Sequence, residues 1–172
     1  GIVPDFDLDV MQPDQTLDAL TANLLTGLGK VMDQVNPARV MVQGDTATAL
    51  AGALAAYYRK IPGAHVAAGL RSGNSYHPWP EEVNRKIVDH TSDINLTYSE
   101  IAREYLLREG LPPDQIICTG SPMREVLEQG FRDHHTSLHR GLIETSSILT
   151  TTNLIFKTQM IAVIPESSAS RY

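Results

Sequence analysis

Arg39-Val40-Met41-Val42-Gln43-Gly44-Asp45-Thr46 runs from a short apolar stretch with β-branched residues into a polar turn at Gly44. Thr46 to Lys60 follows at once and is rich in alanine and leucine. An apolar run of this length closed by a turn fits a buried strand, and the alanine-rich run fits a helix. Ile61-Pro62-Gly63 breaks that helix, and Ala64-His65-Val66-Ala67-Ala68 is the next strand. Strand, helix and strand joined by connections of a few residues form the unit of a parallel sheet with right-handed crossovers.

The pattern extends in both directions. Downstream, Gly69 to Pro80 reads as a loop and Glu81 to Thr91 as a helix, with Val83, Ile87 and His90 or Val88 on one side. Ile94 to Tyr98 is a strand. Ser99 caps a helix whose Ile101, Tyr105 and Leu106 face inward and which ends at Gly110. Gln115 to Thr119 is a further strand, and Gly120-Ser121-Pro122 opens a last helix. Upstream, residues 1–13 read as an extended entry. Asp14 or Thr16 caps a helix to Val35, with Leu17, Leu20, Leu24, Leu28, Val31 and Val35 as its buried stripe. The fold class is therefore α/β, a Rossmann-like parallel sheet with helices on both faces. Ligands of such sheets sit beyond the carboxyl ends of the strands, where Asp45, the 69–80 loop, Ser99 and Gly120-Ser121 fall.

The rhythm stops near residue 130. From Phe131 to Tyr172 serine and threonine are frequent, His134, His135 and His139 crowd together, and no glycine follows Gly141. The division is a domain over residues 1–130 and an atypical, poorly ordered tail over 131–172. In that tail Leu154-Ile155-Phe156 and Met160-Ile161-Ala162-Val163-Ile164 can form a strand or an apolar patch. His135 and His139 have i, i+4 spacing, but no helical pattern supports a metal site there.

Composition narrows the function classes. The 172 residues are enough for one domain with a real core, and 42% hydrophobic with 20% charged residues is a globular balance. A net charge of −6 argues against a nucleic-acid binder, which normally shows a basic face. No apolar run approaches the roughly 20 residues that span a bilayer. The single cysteine, Cys118, excludes an internal disulfide and a multi-cysteine zinc site. With no secretory leader read at its start, the cytoplasm is the expected compartment.

The candidate chemistry is carboxylate chemistry. Asp45 closes a strand end, and Glu81 and Glu82 open a helix after His77-Pro78-Trp79-Pro80. Acids on two strand-to-helix connections can meet in one cleft and serve proton transfer at carbon. Each also has a plainer use: an aspartate before a helix caps it, and acids in a first turn suit the helix dipole. Arg71 at the cleft edge, Arg85 and Lys86 can meet a phosphate or pair with the acids. Lys86 reads as surface, and His65 as a core residue or one behind the site. Gly120-Ser121 before a helix can cradle a phosphate through backbone amides.

Val42-Gln43-Gly44-Asp45-Thr46, His65-Val66-Ala67-Ala68-Gly69-Leu70-Arg71 and Pro78-Trp79-Pro80-Glu81-Glu82-Val83-Asn84-Arg85 together resemble the non-hydrolysing UDP-N-acetylglucosamine 2-epimerases. The likeness covers residues 2–128 in order. Asn84 to Thr91 and Ser121-Pro122-Met123 are similar to the branch acting on 2-acetamido-2,6-dideoxy sugar nucleotides. The loop with Tyr76 and Trp79 is more like the UDP-N-acetylglucosamine branch. The resemblance implies one half of a glycosyltransferase-B-like two-domain fold, with a UDP-amino-sugar as substrate. It implies inversion at carbon 2 by UDP elimination and re-addition, no cofactor, and a homodimer. The absence of a Gly-x-Gly-x-x-Gly fingerprint accords with chemistry that needs no nicotinamide. On the same likeness Asp45 and Glu81 are the catalytic acids, and Thr46, Arg71, Glu82, Arg85 and Ser121 contact substrate. The family's third acid precedes its Ala-Gly-x-Arg turn, where this sequence has Ala67. The family's first strand and second domain also fall outside the matched run. The expectation is a partial domain with impaired turnover, or a non-catalytic sugar-nucleotide-binding remnant. A glycosyltransferase half fits the two acid turns less well.

Overall fold

A computed structural model of the chain describes residues 3–122 and 160–163. The elements in chain order are α1 (Leu17–Val35), β1 (Arg39–Gln43), α2 (Ala47–Tyr58), β2 (Gly63–Ala68), α3 (Glu81–Thr91), β3 (Ile94–Thr97), α4 (Glu100–Arg108), β4 (Ile116–Cys118) and β5 (Met160–Val163). A short 3₁₀ turn at Pro113–Gln115, not expected from the sequence, leads into β4. The sheet order is β4-β3-β2-β1-β5, and every pairing is parallel.

β1 to β4 step one place at a time in one direction. Right-handed crossovers then put α2, α3 and α4 on the same face. Packing agrees. Val40 and Val42 of β1 meet Met32 of α1, Ala49 and Ala53 of α2 and Val88 of α3 in one cluster. Ala68, Leu106, Leu111 and Ile116 form a second cluster under α4. On the opposite face Met41, Ala64 and Val66 pack with Ile94, Leu96 and Tyr98, which are residues of the strands or of their carboxyl ends. Of the helices expected on both faces, those among the described residues, α1 to α4, lie on one face.

Boundaries follow local chemistry. Thr16 caps α1 through its hydroxyl, and Asn36 ends that helix in the left-handed region. Met32 is the residue of α1 packed deepest, whereas Val35 is 42% exposed and lies outside the stripe. Two helices turn differently from the hydrophobic reading. In α3 the buried positions are Glu82, Asn84, Val88 and Asp89, and Val83 and Ile87 face outward. In α4 Ala102 and Leu106 are buried, Ile101 is 68% exposed, and Tyr105 is also on the outer side. The reason is visible in α3: its inward acids and amide meet backbone groups of the loops beyond the strands, so polar residues are satisfied inside.

Gly69 lets the chain leave β2. It has φ +79°, and a Cβ there would stand 2.3 Å from the Ala102 carbonyl oxygen, so only glycine permits α4 to sit this close. Two residues earlier, Ala67 has φ +69° where the β2–β3 register shifts between Val66 and Ala68. The expected tail, 131–172, lies outside the described residues except for Met160–Val163, which adds the fifth strand beside β1.

Candidate active site

The turn after β1 is held from several sides. Gly44 has φ +75°, and its amide donates to the Val66 carbonyl at 3.0 Å. The cap of α2 is Thr46, whose hydroxyl accepts from the Ala49 amide at 3.3 Å. Asp45 is therefore released from capping. Its carboxylate meets the Arg85 guanidinium instead, Oδ2 to Nη2 at 2.6 Å, and its backbone carbonyl accepts from the Asn84 side chain at 2.9 Å. Both partners come from α3. The helix carrying the second pair of acids thus holds the first acid in place. A charge-assisted contact of this length is among the stronger hydrogen bonds.

The two adjacent glutamates have different situations. Glu81, first residue of α3, is half-buried and makes no side-chain hydrogen bond or ion pair with the described residues. Glu82 is fully buried. Its oxygens accept from the amides of Ser72 and Gly73 at 3.0 and 3.2 Å, with Lys86 at 3.3 Å and Arg85 at 3.4 Å. Burial pushes this carboxyl up, but the amide donors and the Lys86 ammonium outweigh it, and the net shift is downward. Glu82 fastens the start of the 69–80 loop to α3. His77–Pro78 and Trp79–Pro80 are both cis in that loop.

Arg71 is tied down as well. Its guanidinium forms a two-pronged pair with Glu109, Nε and Nη2 each at 2.6 Å, and Nη1 lies 2.8 Å from Asp89 Oδ2. Burial lowers the Arg71 pKa and the two carboxylates raise it more, while Arg71 holds the Glu109 carboxyl below its ordinary value. Asp89, also fully buried, receives the Gly69 amide and stands 2.6 Å from His65 Nδ1. The other ring nitrogen of His65 lies 2.8 Å from the Gly44 carbonyl oxygen. A chain of contacts therefore runs inward from Glu109 at the surface through Arg71 to the buried Asp89 and His65 and on to the peptide before Asp45.

Arg85 bridges Asp45, just beyond β1, and Glu82 of α3, with Thr46 next to the first acid and Glu81 next to the second. Arg71 stands behind them on the adjoining loop with its charge paired. Ser121, half-buried, follows Gly120 (φ +76°) beyond β4, on the far strand of the described sheet. The site also uses Asn84, Asp89 and Glu109, to which the sequence assigned no role, and His65, read there as a core residue or one behind the site. For Asn84 and Asp89 the signal was the polar side of α3, which falls inward; Glu109, at the end of α4, and His65, in β2, have no such signal. A mainly apolar depression of about 750 Å³ lies between Trp79 and the first turns of α1. It contains none of the candidate acids. No cluster of metal-ligating side chains occurs among the described residues.

Comparison with known proteins shows which family the whole chain resembles. A sequence model of UDP-N-acetylglucosamine 2-epimerase matches residues 1–163. A probable UDP-N-acetylglucosamine 2-epimerase of Ralstonia solanacearum is 48% identical over 126 residues, 73% of this chain and 34% of the relative. The UDP-N-acetylglucosamine 2-epimerase of Salmonella typhimurium is 44% identical over 127 residues, covering 74% and 34%. The Neisseria meningitidis enzyme, solved with UDP-GlcNAc, superposes with TM-score 0.67 at 37% identity over 76% of this chain and 40% of its own. The Methanocaldococcus jannaschii enzyme, in complex with UDP-GlcNAc and UDP, gives TM-score 0.71 at 37% identity over 79% and 36%. The chain spans about a third of the length of the curated relatives it matches.

Proposed function

Since this chain belongs to the UDP-N-acetylglucosamine 2-epimerase family, we propose that it supplies one wall of a site that inverts carbon 2 of a UDP-2-acetamido sugar. One carboxylate takes the carbon-2 proton while the bond from carbon 1 to the UDP oxygen breaks, leaving a carbon 1–carbon 2 double bond. UDP then returns to carbon 1, and a proton is delivered to carbon 2 on the other face. Asp45 and Glu81 are the acids for these transfers, and no cofactor enters the balance. Thr46, Arg85 and Ser121 are the polar groups assigned to substrate. Arg71 and Glu82 serve the site by fixing the loop through Glu109, Asp89 and the Ser72 and Gly73 amides. The observation carrying this reading is the release of Asp45 from capping and its capture by Asn84 and Arg85 of the helix that begins with Glu81.

Ala67 favours a second reading, a sugar-nucleotide-binding chain without turnover. The family resemblance implies an acid at that position, and losing one of several cooperating groups commonly costs orders of magnitude in rate. We further propose that the product is a precursor of bacterial surface polysaccharides such as capsule or O-antigen, made in the cytoplasm by a homodimer.

The test is proton NMR of the chain with UDP-N-acetylglucosamine in D2O. Saturation transfer to the sugar and uridine protons, with the carbon-2 proton retained, is the expected result. Ala67→Glu should then introduce loss of that proton. Loss with the unchanged chain would show that Asp45 and Glu81 suffice. Absence of saturation transfer would remove the sugar-nucleotide assignment.

A further inference from the structure

His65 is a buried histidine with an acceptor at each ring nitrogen. The Gly44 carbonyl oxygen only accepts hydrogen bonds, so Nε2 at 2.8 Å must carry a proton. The state of Nδ1 then depends on Asp89, 2.6 Å away. Two arrangements are possible. In one, Nδ1 is bare and a neutral Asp89 donates to it. In the other, Nδ1 is protonated and Asp89 is an anion.

The surroundings of Asp89 decide between them. The Arg71 guanidinium stands 2.8 Å from Oδ2, and the Gly69 amide points at both oxygens at 3.3 and 3.4 Å. A carboxylate that receives a guanidinium, an amide and a ring N–H is satisfied as an anion. The charge count agrees. Arg71 faces two acids, the buried Asp89 and the partly exposed Glu109, so a neutral His65 with an ionised Asp89 would leave one negative charge in excess around it. With His65 protonated, two cations face two anions. Of the elements packed around the ring, β3 contributes the uncharged Asn95, whose amide binds the Asp89 backbone carbonyl at 3.1 Å. β1 contributes the Gly44 carbonyl and α3 contributes Asp89 itself.

We infer that His65 is held as a doubly protonated imidazolium and acts as a positioning residue for the peptide that precedes Asp45. Through Nε2 it fixes the Gly44 carbonyl. Through Nδ1 it ties that carbonyl to Asp89, which also holds the Gly69 amide and Arg71. The turn bearing Asp45 and the loop leading to Glu81 are thereby anchored on one ion pair. Apolar or neutral replacements of similar volume can fill the space without fixing either turn.

The test is a long-range ¹⁵N–¹H correlation spectrum of the uniformly labelled free chain at neutral pH, with the His65 ring assigned through its own backbone. Protons on both ring nitrogens, and a scalar coupling from Nε2–H to the Gly44 carbonyl carbon, are expected. In Asp89→Asn, Nδ1 should lose its proton while the coupling to Gly44 persists. A bare nitrogen in the unchanged chain would overturn the inference. The spectrum is read without ligand, so it stands apart from the sugar-nucleotide assignment. A second arm rests on that assignment. His65→Gln should weaken UDP-N-acetylglucosamine binding about tenfold, the usual scale for losing a charged hydrogen bond. Unchanged affinity with an intact imidazolium in the parent chain would refute the positioning role alone.

Discussion

Replacing Gly69 with alanine tests whether the approach of α4 to the carboxyl end of β2 sets the geometry of the loop. An added Cβ would lie 2.3 Å from the Ala102 carbonyl oxygen, 2.8 Å from its carbonyl carbon and 3.2 Å from its Cβ. Favourable contacts need about 3.5 Å, so roughly 1 Å of movement is required of backbone on both sides. Overpacking of this kind costs about 1–3 kcal/mol. A side chain at φ +79° adds about 1–2 kcal/mol. The lower entropy of an unfolded alanine returns about 0.5–1 kcal/mol. The net is about 2–4 kcal/mol, a large part of the roughly 5–15 kcal/mol that a domain has. Gly73 is the matched control, with the same φ of +79° and nothing within 4 Å of its added Cβ. Gly73→Ala should cost about 1 kcal/mol or less, since only the backbone term applies. Urea unfolding followed by far-UV circular dichroism measures both. Equal losses in the two variants would refute the steric argument.

Glu82→Gln should destabilise by about 2–4 kcal/mol, because a buried acceptor of two amides and two cations becomes half donor. Glu82 and Glu109 are both held below their ordinary value of 4.5 in the fold. Their contribution is therefore present above pH 4.5 and lost as pH falls through the lower folded values, and acid unfolding curves of Glu82→Gln should show a shallower loss. Ala67→Gly should raise stability by about 0.5–1 kcal/mol, the relief at φ +69° less the entropy of glycine, and thermal melts would contradict this by showing a decrease. Tyr98→Phe should be neutral or stabilising, since the buried hydroxyl has no partner among the described residues. Burial also pushes the Tyr98 pKa up from 10.0 to about 12. The unfolded chain ionises first, so stability should fall as pH rises from 10 toward 12, and Tyr98→Phe should lack its share of that fall.

The strand–helix order of residues 14–119 was legible because each strand is a short apolar run closed by glycine or a polar turn. Thr16 and Ser99 marked helix starts through capping chemistry that needs no tertiary context. The inward faces of α3 and α4 were not legible. Hydrophobic periodicity points Val83, Ile87 and Ile101 inward, but the positions beneath α3 meet loop amides and a buried histidine. Glu82, Asn84 and Asp89 are the better match there. The acids were visible from their places at strand ends, yet whether Asp45 caps its helix depended on Thr46 taking that hydrogen bond. The ties of Arg71 to Glu109 and of His65 to Asp89 join residues 38 and 24 apart. No local spacing signals such pairs. The fifth strand followed from an apolar run whose partner, β1, lies more than a hundred residues away.

The most direct measurement is a ¹H–¹⁵N correlation titration of the labelled chain with UDP-N-acetylglucosamine. Shifts concentrated on the amides of Gly44, Asp45, Thr46, Ser72, Gly73 and Glu81 to Arg85 are expected. No shifts at millimolar ligand, or shifts confined to residues around α1 and the depression beside Trp79, would contradict the placement of the site between β1 and α3.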